Sequence, residues 1–413
     1  MPDRTRFFIG DRGSGGTSIV NDAVIEKWVY GGEGLARVEG KVSLVPFVLP
    51  GERVRFAATG GVHAKVFELV EAAPERVAAP CPIFTRCGGC DYQHAPYEFQ
   101  LARKVEILRE QLRRVGKIDY SGEIRVVSGP PYGYRNRVQL HIETGRLGYM
   151  AAGSHQLVEV PNECPIASPR LNEAIRELQT RLSDSRFPKF VRSIELFTNE
   201  TDLQVNVLET DRPLSRTFFE WLDSKTALEY PTGLGAFRVS PRSFFQVNRF
   251  LLEKLVETAL EGVQEDASLD LYAGVGLFAL PLARRFATVT AVEAGASATR
   301  DLEFNAASAG VELSTENVRV EDYLTKLDKA PDFVLADPPR AGLGKSVVKD
   351  LVRLNPKHIV IVSCDPATLA RDLAGLTSYS IERMTLVDLF PQTYHLETVV
   401  HLYQTSGGGT TTG

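Results

Sequence analysis

Hydrophobic and polar positions alternate over short distances at the start of the chain. The runs Val24 to Val29, Leu35 to Val38, Ser43 to Val48, Arg53 to Ala57 and Ala64 to Val70 are broken by Gly31-Gly32, Gly40, Pro50-Gly51 and Gly60-Gly61. Short β-rich runs with such dense turn residues predict a small OB-like β barrel, a form often used to bind single-stranded nucleic acid. The period then lengthens. Leu101, Val105, Leu108, Leu112 and Val115 recur at helical spacing, which predicts an amphipathic helix from Tyr97 to Val115 with Gly116 as its C-cap. From Ile124 to Thr226 the pattern is mixed α/β, with Ser193 to Phe197 and Leu203 to Leu208 forming a hairpin.

Beyond that point helical and β-branched runs alternate. A helix is expected from Arg249 to about Leu260, then a strand at Leu269-Asp270-Leu271, a glycine turn, a helix to about Arg285, and a strand from Thr288 to Val292. Val318 to Val320, Asp332 to Ala336, Ile359 to Val362, Ser380 to Val387 and Thr398 to Leu402 read as further strands. Such alternation predicts an α/β fold with a doubly wound sheet, whose ligands bind beyond the carboxyl ends of its strands.

Composition adds limits. A chain of 413 residues has room for two or three domains, and 43% hydrophobic with 24% charged residues is ordinary for a globular protein. No apolar run reaches the roughly 18 residues needed to span a bilayer, and Met1 to Gly16 is polar. A cytoplasmic protein without a membrane partner is therefore expected, with flexible ends. The net charge of −5 argues against a polyanion partner, but Leu101 to Leu140 carries nine Lys or Arg against four Asp or Glu. A local basic face of this kind can bind nucleic acid; it can also be a solvated helix face. Tyr132-Gly133-Tyr134-Arg135-Asn136-Arg137 interleaves aromatics with arginines, a mixture that can stack a base and grip phosphates or enter a strand.

The five cysteines change the picture most. An odd number argues against a disulfide framework. Cys81, Cys87 and Cys90 follow a C-x5-C-x2-C spacing on a glycine-containing loop, and Cys164 in Asn162-Glu163-Cys164-Pro165 would be the fourth ligand of a metal or cluster site. All-thiolate ligation suits an Fe–S cluster or zinc, with the flanking prolines favouring a cluster. The fifth, Cys364, stands just past a β-branched run and before Asp365-Pro366. A thiol at a strand end can be a nucleophile or simply a buried structural cysteine.

Asp270-Leu271-Tyr272-Ala273-Gly274-Val275-Gly276 gives a strand followed by a G-x-G turn, and the next predicted strand ends in Glu293. Glycines admit a ligand close to the backbone, and a carboxylate about 20 residues on can bind ribose hydroxyls. Without the third glycine of the dinucleotide fingerprint, a smaller nucleoside ligand is favoured over a pyrophosphate. The segment resembles the S-adenosylmethionine site of class I methyltransferases. Asp322 is expected to reach the adenine side. Asp337-Pro338-Pro339-Arg340 resembles the strand-terminal D-P-P of methyltransferases, with Arg340 where amino-group methyltransferases have an aromatic.

Taken together, residues 22 to 403 resemble the RNA uracil-5 methyltransferases, in the branch with an N-terminal TRAM barrel and a four-cysteine Fe–S cluster. Ser363-Cys364-Asp365-Pro366-Ala367-Thr368-Leu369-Ala370-Arg371-Asp372 matches the family's nucleophile motif, with Asp365 where Asn is usual, and His395-Leu396-Glu397 matches the segment carrying its base. The resemblance implies Cys364 and Glu397 as catalytic residues. It implies Gln246, Tyr272, Glu293 and Asp337 as the S-adenosylmethionine site, and Cys81, Cys87, Cys90 and Cys164 as ligands of a [4Fe–4S] cluster rather than zinc. It also implies a seven-stranded methyltransferase sheet and a target uridine swung out of its stack. The expected layout is a flexible 1–20, a barrel over 21–72, a cluster-bearing and RNA-binding middle domain over 73–235, a methyltransferase domain over 236–404 and a tail over 405–413. The expected partner is RNA, ribosomal before the T-loop of transfer RNA, and the expected state is a monomer. Cytosine-5 methylation uses the same thiol logic and is one rival. The other is a non-catalytic RNA-binding protein, which would be expected to lose Cys364, Glu397 or the glycine turn; none is missing.

Overall fold

A computed structural model describes residues 20–405 apart from 185–186, 216–217, 223, 264–265 and 330. The flexible ends expected over 1–20 and 405–413 lie, but for their inner residues, outside the described residues. The N-terminal runs form β1 (Val20–Trp28), β2 (Glu33–Val38), β3 (Lys41–Pro46), β4 (Arg53–Gly60) and β5 (His63–Glu71). They close into a barrel in the order β1-β2-β3-β5-β4, with β4 pairing back onto β1. Ile25, Ala36, Val45, Val54, Phe56 and Val66 fill it.

After the cysteine loop comes α1 (Tyr97–Gln111), which continues as one π-helical turn over Leu112–Gly116, and then β6 (Ile124–Val127). The middle sheet contains β7 (Arg137–Glu143), β8 (Arg146–Met150), β9 (Leu157–Glu159), β10 (Val191–Thr198) and β11 (Leu203–Thr210), in the order β11-β10-β7-β8-β9. The predicted hairpin is the β10–β11 pair. α2 (Pro169–Leu182) packs on this sheet; Ser168 caps it and Leu171, Ala174, Ile175 and Leu178 face inward. A two-stranded ribbon, β12 (Leu228–Thr232) with β13 (Gly235–Val239), then spans the expected 235/236 boundary.

The remaining elements are α3 (Leu252–Ala259), β14 (Ala267–Leu271), α4 (Ala279–Ala283), β15 (Thr288–Val292), α5 (Ala296–Ala309), β16 (Ser314–Glu316), α6 (Val320–Thr325), β17 (Phe333–Ala336), α7 (Gly344–Leu354), β18 (His358–Ser363), α8 (Pro366–Gly375), β19 (Tyr379–Val387) and β20 (Glu397–Gln404). The sheet order is β16-β15-β14-β17-β18-β20-β19-β6. Strands β14 to β18 run parallel, and β20 inserts antiparallel between β18 and β19. The β18 run is apolar throughout because both faces are covered: Ile359 and Ile361 enter one core, Val360 and Val362 the other. Each such fully buried side chain contributes about 1.5–3 kcal/mol.

Several expectations need correction. The expected methyltransferase domain supplies seven strands, β14 to β20, and β6 from the segment assigned to the middle domain adds an eighth by pairing with β19. Val318 to Val320 is not a strand. The strand is Ser314–Glu316, and Val320 opens α6, whose first turn carries Glu321 and Asp322, favourable charges at a helix N-terminus. Asp322 is exposed there. The buried stripe of α1 is Gln100, Leu101, Lys104, Ile107 and Leu108, so Lys104 lies inside and Val115 outside. The helix ends on Lys117 in the left-handed conformation, φ 56°, not on Gly116. Gly116 serves a different need: a Cβ there would come within 2.7 Å of the Ala370 carbonyl oxygen on α8.

Candidate active site

Four parallel strands finish at one edge of the sheet, each followed directly by a residue of interest: Tyr272 after β14, Glu293 after β15, Asp337 after β17 and Cys364 one step past β18. Leu271 pairs with Ala336, so Tyr272 and Asp337 stand side by side, and the Asp337 N–H donates to the Leu271 carbonyl at 3.3 Å. β20 runs the other way, so its first residue, Glu397, starts at this same edge. Ser363 pairs with Thr398, and one step further in that register brings Cys364 opposite Glu397.

The glycine turn leaves β14 by a sharp change of direction. Tyr272 has φ 63°, Gly274 φ 56° and Gly276 φ 98°. A Cβ on Gly276 would meet Leu280 at 2.5 Å, so this glycine permits close packing of the following helix. A Cβ on Gly274 would meet no atom within 4 Å, so the space in front of it is open. Glu293 reaches across that turn: one oxygen accepts from the Gly274 N–H at 2.9 Å, the other from the Gly295 N–H at 2.5 Å. Half-buried and acceptor-only, it keeps lone pairs for a diol. Gln246 is buried in the segment between β13 and α3, where its carbonyl accepts from Asn136 at 3.2 Å. Nearby, Asp301 on α5 holds Ser240 and Ser243 by bonds of 2.7 Å. Open space, a glycine turn and a fixed carboxylate fit a nucleoside-bearing ligand. Behind them Asp270 is fully buried, facing the Ala279 backbone N–H. Burial above all, then Asp337 and Glu293, raises its pKa well above the usual carboxylate range.

Around Cys364 the field is negative. The thiol is half-buried and is pushed up to about 12, by burial first, then by Glu397 and Asp337; Arg340 works the other way and Asp365 adds to the rise. Glu397, 3% exposed, is raised well above the carboxylate range by burial and by Asp337, and burial raises Asp337 in turn. Two such neighbours resist ionising together. Asp365 caps α8, its Oδ1 accepting from the Ala367 and Thr368 N–H groups at 3.0 and 2.9 Å. Arg340 is exposed and lies 3.2 Å from His395 Nε2. Burial, then Arg340, lowers His395 to about 3, so it stays neutral.

The four remaining cysteines line one cavity of about 910 Å³ between the barrel and the middle sheet. Cys90 is buried and the other three are half-buried. Burial is the first cause raising Cys81, Cys87 and Cys90, with Cys87 pushed up to about 11. The Gly89 N–H donates to the Cys87 sulfur at 3.4 Å. Among the described residues no group of three or more His, Cys, Asp or Glu is arranged to hold a metal ion. The Tyr149 hydroxyl is buried and faces the Cys164 sulfur.

The expected RNA-gripping residues are partly otherwise engaged. Lys104 and Asp388 are fully buried as an ion pair of 2.6 Å. Tyr134 is buried and donates to the Pro391 carbonyl at 2.9 Å. Arg137 lies over the Phe197 ring, 4.1 Å from its centroid. Arg113 and Arg114 remain exposed.

Comparison with known proteins now separates among α/β enzymes. The family model described as tRNA (uracil-5-)-methyltransferase matches residues 232–405. An uncharacterized RNA methyltransferase of Aquifex aeolicus is 33% identical over 92% of this chain and 97% of its own length. The 23S rRNA (uracil(1939)-C(5))-methyltransferase RlmD of Halomonas elongata is 32% identical over 94% of this chain and 90% of its own. The chain belongs to the RNA uracil-5 methyltransferases. The crystal structure of Pyrococcus abyssi tRNA (uracil-54, C5)-methyltransferase with S-adenosyl-L-homocysteine is 28% identical, with a TM-score of 0.76, covering 92% of this chain and all (100%) of that one.

What sequence reasoning missed in this methyltransferase is the clamp on the loop leading to Glu397. Lys104 donates to Asp388 and to the Phe390 carbonyl. Gln100 exchanges bonds with both the side chain and the backbone of Gln392. Asn248 donates to the Leu389 carbonyl, and Asp91, next to Cys90, accepts from the Tyr394 N–H. Polar residues at inward helical positions, such as Gln100 and Lys104, were the one signal available. Among the described residues no helix is long and apolar enough to cross a membrane.

Proposed function

We propose that this methyltransferase forms 5-methyluridine in RNA by covalent addition, with Cys364 as nucleophile and Glu397 as proton acceptor. The β18–β20 register carries the reading, because it sets the thiol and the carboxyl side by side at the ligand edge of the sheet. Uracil C5 is a weak nucleophile. When the Cys364 thiolate bonds to C6, the C5–C6 electron pair moves toward C5 and O4, and C5 becomes an enolate carbon. S-adenosylmethionine supplies an electrophilic methyl group on sulfonium; C5 would bond to that carbon as the S–CH3 bond breaks, leaving the neutral thioether S-adenosylhomocysteine. C5 then carries both hydrogen and methyl. Glu397 takes that proton, the C5–C6 double bond returns, and the S–C6 bond breaks to release the thiolate. A carboxylate whose proton affinity is raised by burial suits removal of a carbon-bound proton near neutral pH. Arg340, beside the thiol, is the group that favours its anion.

Gln246, Tyr272, Glu293 and Asp337 would hold S-adenosylmethionine, with Glu293 on the ribose and Gly274 leaving room for the ligand. Cys81, Cys87, Cys90 and Cys164 would hold a [4Fe–4S] cluster. Four cysteines lining one cavity are the all-thiolate donor set of such a cluster. The cluster's site adjoins Asp91 and Tyr92, whose N–H groups both donate to the Gln392 carbonyl, so it would brace the Glu397 loop.

The favoured substrate is large-subunit ribosomal RNA. RlmD relatives match along nearly the whole chain, including the barrel and the cysteine loop. Mapping 5-methyluridine in RNA from cells lacking the protein decides it: loss from 23S RNA supports the reading, and loss from the transfer-RNA T-loop overturns it. For the mechanism, Glu397→Gln should trap RNA on the protein as a slow band on a denaturing gel. Full turnover by that variant would remove Glu397 from the mechanism.

A further inference from the structure

Tyr30 belongs to the β1–β2 loop of the barrel, 335 positions from Asp365, yet its hydroxyl donates to Asp365 Oδ2 at 2.8 Å. Its ring also meets Tyr394 edge to face, with centroids 5.6 Å apart. Asp365 directly follows Cys364, and its other oxygen is committed to capping α8. Tyr394 lies three residues before Glu397. One barrel side chain therefore touches the segments that carry both members of the proposed catalytic pair.

We infer that Tyr30 is a positioning residue for Cys364: its hydroxyl fixes the Asp365 carboxylate and draws that negative charge away from the sulfur. The inference rests on the reading of Cys364 as nucleophile. The groups facing the thiol are Glu397 from β20, Asp337 and Arg340 from the end of β17, and Asp365 beside it; Tyr394 and His395 line the adjoining loop. Of the charged ones only Arg340 favours the thiolate. Tyr30 is itself held far above its usual range, by burial first and then by its bond to Asp365, so it stays protonated and remains a donor. Hydrogen bonds to a charged acceptor are about twice as strong as neutral ones. Removing this one leaves a less compensated carboxylate next to the sulfur. It also frees the loop to move.

The test uses the full-length protein and reads the Cys364 peptide by mass spectrometry after iodoacetamide at one fixed pH, where the rate follows the thiolate fraction. Tyr30→Phe removes one oxygen atom and is expected to slow alkylation about threefold and kcat roughly tenfold, with the KM for S-adenosylmethionine unchanged. Asp365→Asn keeps a capping oxygen but removes the charge, so alkylation should be faster than in the parent protein. In the Tyr30→Phe/Asp365→Asn double variant alkylation should recover. A purely architectural role for Tyr30 predicts no such recovery. Parent-like alkylation of Tyr30→Phe, or a double variant as slow as Tyr30→Phe, overturns the inference. So does Asp365→Asn alkylating no faster than the parent. Cys364→Ala separates the two claims: residual methylation in that variant removes the nucleophile assignment, while the alkylation comparison still decides what Tyr30 does to the thiol.

Discussion

In the proposed mechanism Cys364 reacts as thiolate and Glu397 as carboxylate, and the fold disfavours both anions. Burial and neighbouring carboxyls push the thiol up to about 12 and raise Glu397 well above its usual range. Those anions are the reactive forms of the proposed mechanism, and raising pH produces more of each. The sign is therefore the same for both groups. We expect kcat/KM of the free enzyme to rise at least about tenfold per pH unit from about pH 6 to 9, without the plateau near pH 8.5 of an unperturbed thiol. A profile already flat by about pH 8 would show that RNA or Arg340 compensates the field. At this scale the sequence was informative where a residue's place is set by a local motif. Cys364, Glu293 and Gly274 each end or follow a short strand that can be read from neighbouring residues. Lys104 was not legible, since its partner Asp388 lies 284 positions away and a lysine on an amphipathic helix looks solvated. Tyr30 had no local signal at all.

The elements themselves were legible where their periodicity was strong. Five barrel strands, the β10–β11 hairpin and β14, β15, β17 and β18 fall where hydrophobic runs meet turn residues. Short or polar elements were not: Ser314–Glu316 carries no apolar alternation, and Val318-Arg319-Val320 imitates a strand while starting a helix. For α1 the stripe was incomplete, because Gln100 and Lys104 join Leu101, Leu108 and Leu112 on the inner face through partners on the Glu397 loop, not by hydrophobicity. Its last turn packs on α8, the helix that begins just after Cys364, and there Gly116 is decisive. A Cβ would stand 2.7 Å from the Ala370 oxygen and 3.3 Å from its carbonyl carbon, backbone atoms that cannot rotate aside. Helix propensity alone predicts that Gly116→Ala stabilises by about 1 kcal/mol. Overpacking predicts a loss of about 1–3 kcal/mol, and we expect it to win. Urea melting should show a lower midpoint with an unchanged slope, together with reduced kcat as α8 is displaced. A higher midpoint would mean that the two helices separate freely.

The whole molecule is not three independent beads. Trp28 and Leu49 of the barrel, Tyr92 of the cysteine loop, and Ile107, Leu108 and Leu112 of the α1 region share one hydrophobic core with Ile359, Ile361, Leu386 and Leu402 of the large sheet. Trp28 stacks flat on Tyr92, with centroids 4.0 Å apart. β6 covers the edge of β19 from Met384 to Val387. Such contacts join segments far apart in the chain, which is why hydrophobic patterning found the pieces but not their joints. They also determine what the family-matched region, residues 232–405, can do alone. Cut out, it keeps the glycine turn, Cys364 and Glu397. It loses β6, leaving the backbone of β19 as an unpaired edge, a template for aggregation. It loses Lys104 and Tyr97, the α1 partners that hold Asp388 inside the full chain. It loses Gln100 and Asp91, which hold the loop before Glu397. We therefore expect the 232–405 fragment to be aggregated or molten in gel filtration and near-UV circular dichroism, while the full chain unfolds cooperatively in urea. A fragment that is monomeric, melts cooperatively and binds S-adenosylmethionine would mean that the shared core only docks a domain already complete.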